Sequence, residues 1–417
     1  MTTILRGNII HAPALGRLET LERGYLVLED GVIRGLYPAL PAACRNAPVE
    51  DYGENLILQS FADMHLHAPQ YAMVGMGMDL PLLDWLNTYT FPVEARYADL
   101  DYARRSYRKL AADLIARGTT RVAMFSTLHT DATLILMEEL ERAGVTGYVG
   151  KVNMDRNGGE KLQETTDESV AETLRWLEQC CFEHIKPILT PRFTPSCTDT
   201  LMEQLGRIAA ERRLYVQSHL SENTGEMDWV GELCPDCGEY WETYAKHGLW
   251  KSHTIMAHCV HSSEREQRAM AEAGVLAVHC ADSNVNILSG TAPVRQLLER
   301  GVRVALGSDV AGGAQLGMPQ VITASIRASK VKCMETGMPF LTVPEGYYLG
   351  TTAGHRYFGA GEGFAAGDAL HAVVVDESRF PEPARPLSLS ERLERALYLM
   401  DDRDLRAVYS EGRKVLG

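Results

Sequence analysis

Two histidines separated by one residue, His65-Leu66-His67, close an apolar run that begins at Leu56-Ile57-Leu58. At the end of a buried strand, two imidazoles spaced this way can reach one metal ion. An isolated pair can equally well solvate a turn. The weight comes from what recurs downstream. Leu214-Tyr215-Val216-Gln217-Ser218 runs into His219, Thr254-Ile255-Met256-Ala257 into His258, and Val302 to Ser308 into Asp309. Several imidazoles and one carboxylate, each just past an apolar strand, form a suitable donor set for a first-row cation. Glu222 lies three residues after His219. A carboxyl group there can take a proton from activated water and pass it to a substrate nitrogen.

Positioning these groups requires a regular scaffold. From about residue 56, strands alternate with helices. Thr119–Phe125, Tyr148–Val152, Ile185–Leu189 and Val275–Val278 read as further strands. Helices are marked by Asp131 and Gly144, by a capping box from Thr165 to Glu168, and by the apolar face of Leu201, Leu205 and Ile208. Eight strands with helical crossovers predict an α/β fold, a (β/α)8 barrel over residues 56–365, with a doubly wound open sheet as the alternative. Such a barrel gathers strand-end residues at one rim. Before it, Asp30-Gly31 between apolar runs signals a hairpin. The tail after about 365 returns to strand-like text. Residues 1–55 and 366–417 are therefore expected to build one small β-sandwich from both termini.

At 417 residues the chain can bury a large core, and its 45% apolar and 23% charged residues are ordinary for a globular protein. A net charge of −14 argues against a nucleic-acid surface or an anionic membrane surface, both of which need basic groups. No apolar stretch is long enough to span a bilayer, and the N-terminus lacks a signal-peptide pattern. The expectation is a cytoplasmic enzyme. Nine scattered cysteines fit a reducing compartment. Cys234-Pro-Asp-Cys237 has no second pair, which a zinc ribbon requires, and reads as a loop.

The motifs between these anchors are more specific. His65-Leu-His67-Ala-Pro-Gln70-Tyr71, the Asp79-to-Pro92 loop, Thr190-Pro191-Arg192-Phe193, Ser218-His219-Leu220-Ser221-Glu222-Asn223 and Gly307-Ser308-Asp309-Val310-Ala311-Gly312-Gly313 resemble the amidohydrolase superfamily. The Leu80-to-Pro92 loop and the Arg192-Phe193 pair are similar to the guanine deaminases within it. The resemblance spans nearly the whole chain and is weakest in the terminal strands.

That resemblance implies zinc bound by His65, His67, His219 and Asp309, with His258 as a ligand or close neighbour. Iron is the alternative ion, since the same ligands accept both. Glu222 becomes the proton shuttle, Asp309 helps activate water, and His258 hydrogen-bonds at the reacting centre. Gln70, Arg192 and Phe193 hold a purine, with Trp85 and His129 as further pocket candidates. The implied activity is hydrolytic deamination of guanine to xanthine and ammonia. The alternative is a deaminase or chlorohydrolase of the same superfamily acting on another aminopurine, a pterin or a triazine. A non-catalytic barrel is opposed by the full set of ligands and Glu222. The cytidine-type zinc deaminases are set aside, because no proline precedes Cys234 and no His-x-Glu partner exists. Relatives suggest a homodimer. Departures from the family pattern are Gln59-Ser60, Met64 and Ala281-Asp282. Asp282 could bring an extra carboxylate to the rim.

Overall fold

Valine, isoleucine, leucine and alanine fill eight short parallel strands, and most of their residues are buried on both faces. The computed structural model describes residues 1–159 and 161–417. The first four barrel strands are Phe61–His67, Thr119–Phe125, Thr146–Gly150 and Ile185–Pro187. The second four are Val216–Leu220, Thr254–His258, Leu276–His279 and Arg303–Leu306. Each quartet pairs in chain order as one parallel sheet.

Two seams join the quartets into a ring. At one, Leu189 bridges Val216 in parallel; its amide donates to the Tyr215 carbonyl at 3.0 Å, and the Gln217 amide donates back to it at 2.9 Å. At the other, the Asp309 amide donates to the His65 carbonyl at 2.8 Å and the His67 amide to Val310 at 3.0 Å. Gly307 permits this second approach, since a Cβ there would lie 2.8 Å from the Cβ of His65. The expected (β/α)8 barrel is present, and its second seam joins the two histidines to the aspartate.

The chain termini meet in one seven-stranded sheet. Its order is Arg413–Leu416, Leu405–Ser410, Ala372–Val375, Val49–Gln59, Thr2–Ala14, Arg17–Glu29 and Val32–Tyr37. The sheet curls until Val32 bridges Ala369. Alternate side chains divide between two cores. Leu5, Leu26, Ile57 and Val374 fill a small core of the sheet's own, whereas Ile10, Leu58, Val373 and Val408 join the barrel core. The Asp30-Gly31 hairpin has φ of +50° and +81°, the two positive values its turn demands.

One sequence reading needs correction here. The Leu56-Ile57-Leu58 run belongs to the terminal sheet, pairing with Thr2–Ala14 and Ala372–Val375. The barrel's first strand begins at Phe61, after a break at Ser60. Both strands are apolar, so hydropathy ran them together. The Gln59 side chain anchors the break, accepting from the Ala12 amide at 2.9 Å and donating to Thr352 at 2.8 Å.

Local signals held unevenly. The capping box at Thr165 and Glu168 forms as expected. The helix Thr130–Ala143 ends at left-handed Gly144, but its N-cap is His129, and Asp131 sits in the first turn. All nine cysteines are free thiols, and the Cys237 amide closes a turn on the Cys234 carbonyl. Among the described residues, no helix is long and apolar enough to cross a membrane.

A polar network links the terminal sheet to the barrel floor. Buried His371 meets Thr120 Oγ1 at 2.8 Å through Nδ1 and Glu411 Oε1 at 3.0 Å through Nε2. Burial, reinforced by nearby Arg121, pushes its pKa down to about 4. In the unfolded chain a histidine titrates near 6.5, so below that pH the unfolded state takes up a proton the folded state refuses. Stability should therefore fall as pH drops from about 6.5 to about 4, by roughly 3 kcal/mol from this residue. Urea unfolding of His371→Gln across that window should show a shallower loss than the parent. Equal slopes would contradict the assignment.

Candidate active site

The period-two geometry of Phe61–His67 puts His65 and His67 on one face of their strand. His219 is the penultimate residue of its strand and His258 the last of the next. His258 and Asp309 have φ of +75° and +46°, and Ser221, just before Glu222, has +48°. Such values cost a non-glycine residue of order 1–3 kcal/mol and persist only where surrounding contacts impose them. Here they sharply turn the chain at the strand ends and aim the side chains inward.

The ligand candidates converge. Nε2 of His67 is 3.1 Å from Nε2 of His219. Asp309 Oδ1 lies 3.2 Å from Nε2 of His65 and 3.5 Å from that of His67, and its Oδ2 lies 3.8 Å from His258 Nε2. Donor atoms of His65, His219 and His258 all fall within 4.8 Å of one another.

Hydrogen bonds fix the tautomers. His219 Nδ1 donates to the Arg192 carbonyl at 2.6 Å, and His258 Nδ1 to Asn284 Oδ1 at 2.8 Å. His219 then turns an Nε2 lone pair toward the cluster, and His258 turns its Nε2 to the same place. Burial lowers the pKa of His65, and burial together with neighbouring imidazoles holds His67 and His219 well below the usual value. Burial opposes protonation of His258 as well, but Glu222 and Asp309 outweigh it and raise its pKa. Burial alone would raise Asp309; contact with His65 and the other imidazoles instead holds it far below the carboxylate range. Among the described residues, neither ring nitrogen of His65 has an aligned hydrogen-bond partner. Neutral imidazoles and an ionised carboxylate packed this closely fit a divalent cation, which turns lone-pair repulsion into attraction.

Glu222 is buried beside this cluster, 3.5 Å from His258 Nδ1, and accepts from Ser289 Oγ at 3.3 Å. Burial raises its pKa; His258 opposes the shift, and Glu226 and Asp309 add to it. Its backbone is pinned by Glu226, which accepts from the Glu222 amide at 3.0 Å and from the Tyr240 hydroxyl at 2.7 Å.

A cleft with about 400 Å³ of empty space, part of it open to solvent, lies above these groups. Its lining includes His67, Gln70, Trp85, Arg192, Phe193, His219, Glu222, His258 and Asp309, all candidates from the sequence, together with Leu82, Leu86 and Ile287. His65 lies beneath. The long loop thus supplies Leu82, Trp85 and Leu86 as an apolar wall, with Trp85 Nε1 tied to the Met76 carbonyl at 3.0 Å. His129 does not line the cavity; it starts a helix. Asp282 does not line it either, and spends its carboxylate on the Ala314 amide at 2.8 Å. The concern that it adds charge to the pocket falls away.

Sequence reasoning missed several supports. Asp63 accepts from the Ser308 amide at 2.9 Å, locking the first strand to the eighth, and burial pushes its pKa up to about 7. Asn284 orients His258, and Glu226 orients Glu222. Glu94 holds Arg192 through Nη1 at 2.7 Å and Nη2 at 3.1 Å, and accepts from Gln70 Nε2 at 2.8 Å. The Arg192 fork expected for the ligand is therefore shared with a carboxylate. Nothing in the local sequence marked out Glu94, which shares its segment with Thr88, Thr90 and Arg96.

Comparison with known proteins agrees with this geometry. The chain is 34% identical to a guanine deaminase of Dictyostelium discoideum, covering 99% of this chain and 98% of that one. It is 38% identical to the guanine deaminase of Mus musculus, over 86% and 82% of the two chains. The crystal structure of guanine deaminase from C. acetobutylicum, with guanine bound in its active site, superposes with a TM-score of 0.96 at 40% identity over the full length of both. The model of the amidohydrolase family matches residues 56–415. With strand-end histidines and aspartate gathered at one barrel rim, this chain belongs to the amidohydrolase family.

Proposed function

We propose that this protein hydrolyses guanine to xanthine and ammonia, as a zinc-dependent hydrolase acting on a cyclic amidine C–N bond. The observation that carries this reading is one cavity that combines a cation donor set, a buried proton-holding carboxyl group and a slot for a flat, carbonyl-bearing ring. It is supported by likeness to relatives named for that activity.

His65, His67, His219 and Asp309 would hold the zinc, with His258 as a ligand or close neighbour. Zinc, when bound, supplies Lewis acidity that brings the pKa of water from about 15.7 toward 7. Arg192 donates to the purine carbonyl oxygen, and Gln70 pairs with a ring edge. Phe193 packs on the ring face. Leu82, Trp85 and Leu86 exclude bulk water, which strengthens each polar contact inside. Because its pKa is raised, Glu222 can carry a proton near neutral pH and give it to the ring nitrogen beside the amine-bearing carbon. Asp309 and Glu222 accept the protons released by the attacking water. Glu222 then returns one to the departing amine, which leaves as ammonia, and takes up the proton held by Asp309, so that both carboxyl groups end as they began. In its protonated form, which Glu222 and Asp309 favour, His258 donates a hydrogen bond from Nε2 at the tetrahedral carbon's oxygen.

Mixing guanine with zinc-loaded protein should change the ultraviolet absorbance as xanthine forms, with one ammonia released per turnover. Adenine, pterins and triazines should react far more slowly. Faster turnover of one of those would overturn the substrate assignment. Elemental analysis separates zinc from iron. Replacing Phe193 by Ala should raise KM for guanine about five- to tenfold, the worth of one aromatic contact of about 1–1.5 kcal/mol. An unchanged KM would remove Phe193 from the binding surface. A homodimer acting in the cytoplasm accompanies this reading, and light scattering of the purified protein tests the oligomer.

A further inference from the structure

We propose that Glu94 is a positioning residue for substrate selection: it holds Arg192 and Gln70 as one fixed donor array and cancels the charge of the guanidinium, so that the pocket selects neutral purines. This rests on the reading of the site given above. Glu94 is buried and closes the short helix Phe91–Glu94 that follows the cavity's long loop. It does not line the cavity.

Its two oxygens are fully engaged. Oε2 takes Arg192 Nη1 at 2.7 Å, while Oε1 takes Arg192 Nη2 at 3.1 Å and Gln70 Nε2 at 2.8 Å. A two-point pair stops rotation of the guanidinium plane, and the Phe91 ring, 5.3 Å from its Cζ, supports it from one face. The remaining N–H groups of Arg192 then point in fixed directions. Gln70 is held from the other side as well, because its Oε1 accepts from the Ala311 amide at 3.2 Å, two residues after Asp309. Glu94 thereby ties the ring-reading groups to the strand end that carries the metal-side carboxylate.

Charge gives the second half of the argument. Arg192 is 3% exposed and Glu94 1%. Arg192 without this carboxylate would present an uncompensated cation to the cavity. Such a pocket favours anionic ligands. With Glu94 in place, Arg192 offers hydrogen bonds without a net attraction for anions.

The test uses zinc-loaded enzyme with guanine as substrate and urate, an anionic purine, as inhibitor. In Glu94→Gln, KM for guanine should rise about tenfold, the worth of one charge-assisted hydrogen bond, while kcat stays within about threefold. Urate should inhibit the variant more strongly than the parent. A role in folding alone would not produce that opposite movement. If Glu94→Gln does not fold, Glu94→Asp decides. It keeps the charge but is one methylene too short to span Arg192 and Gln70, so KM should rise while urate inhibition stays as in the parent. Unchanged KM and urate inhibition in the folded variant, with the parent turning over guanine, would overturn this role for Glu94. A parent inactive on guanine would instead overturn the proposed function.

Discussion

Replacing Glu222 by Gln should leave the protein folded and its cation bound, yet lower kcat for guanine by about a thousandfold, within the range typical of a lost general acid–base group. The amide matches the carboxyl group in shape and can still accept from Ser289 Oγ. Among the described residues, Glu222 meets the cluster only at His258 Nδ1, 3.5 Å away on the far side of that ring from the converging Nε2, so the cation content should stay at the parent's level. What the amide cannot do is carry a proton between water, ring nitrogen and leaving amine. The fall should therefore appear in kcat and in kcat/KM alike, with little change in KM. Steady-state kinetics with metal analysis of the same sample reads both quantities. Turnover within tenfold of the parent would remove Glu222 from the proton path.

Asp309→Asn should strike the cation and the chemistry together. Among the described residues, Asp309 is the one carboxylate that touches His65, His67 and His258 at once. Its ionised form, held by those imidazoles, balances the charge of a divalent ion. The amide offers only a weak neutral oxygen. Outer partners of metal ligands already cost about 10–100-fold in affinity when removed, and a ligand itself should cost at least the upper end. We expect cation affinity to fall at least a hundredfold, and activity to stay low even when excess zinc restores occupancy, because the water's proton acceptor is also gone. Competition with a chelator measures the first effect, and turnover at saturating zinc the second. Full activity at saturating zinc would confine Asp309 to metal binding.

The convergence of the candidate site at one rim was legible because strand-end residues announce themselves. Apolar runs stop at His219, at His258 and just short of Asp309, and a barrel brings such stops together. Gln70, Arg192, Phe193 and Trp85 came instead from family resemblance, since nothing in their local pattern distinguishes a pocket wall from ordinary packing. Glu94 escaped both routes. Its partners lie 24 and 98 residues away, and only the folded chain makes them neighbours. Hydropathy misplaced the start of the barrel, because only Gln59-Ser60 separates the apolar Leu56–Leu58 from Phe61-Ala62, and it is the pairing that shows they belong to different strands. Asp282 and His129 looked functional by type; Asp282 instead sits in the first turn of the short helix Ala281–Asn286 and holds the Ala314 amide, and His129 starts a helix.

Metal titration tests the central claim most directly. Protein stripped by a chelator is given zinc in fractions of an equivalent, and guanine turnover is recorded at each step. Activity should be absent without zinc, rise linearly, and stop rising at one ion per chain. Full turnover in the stripped protein, or no turnover with zinc bound, would contradict the account.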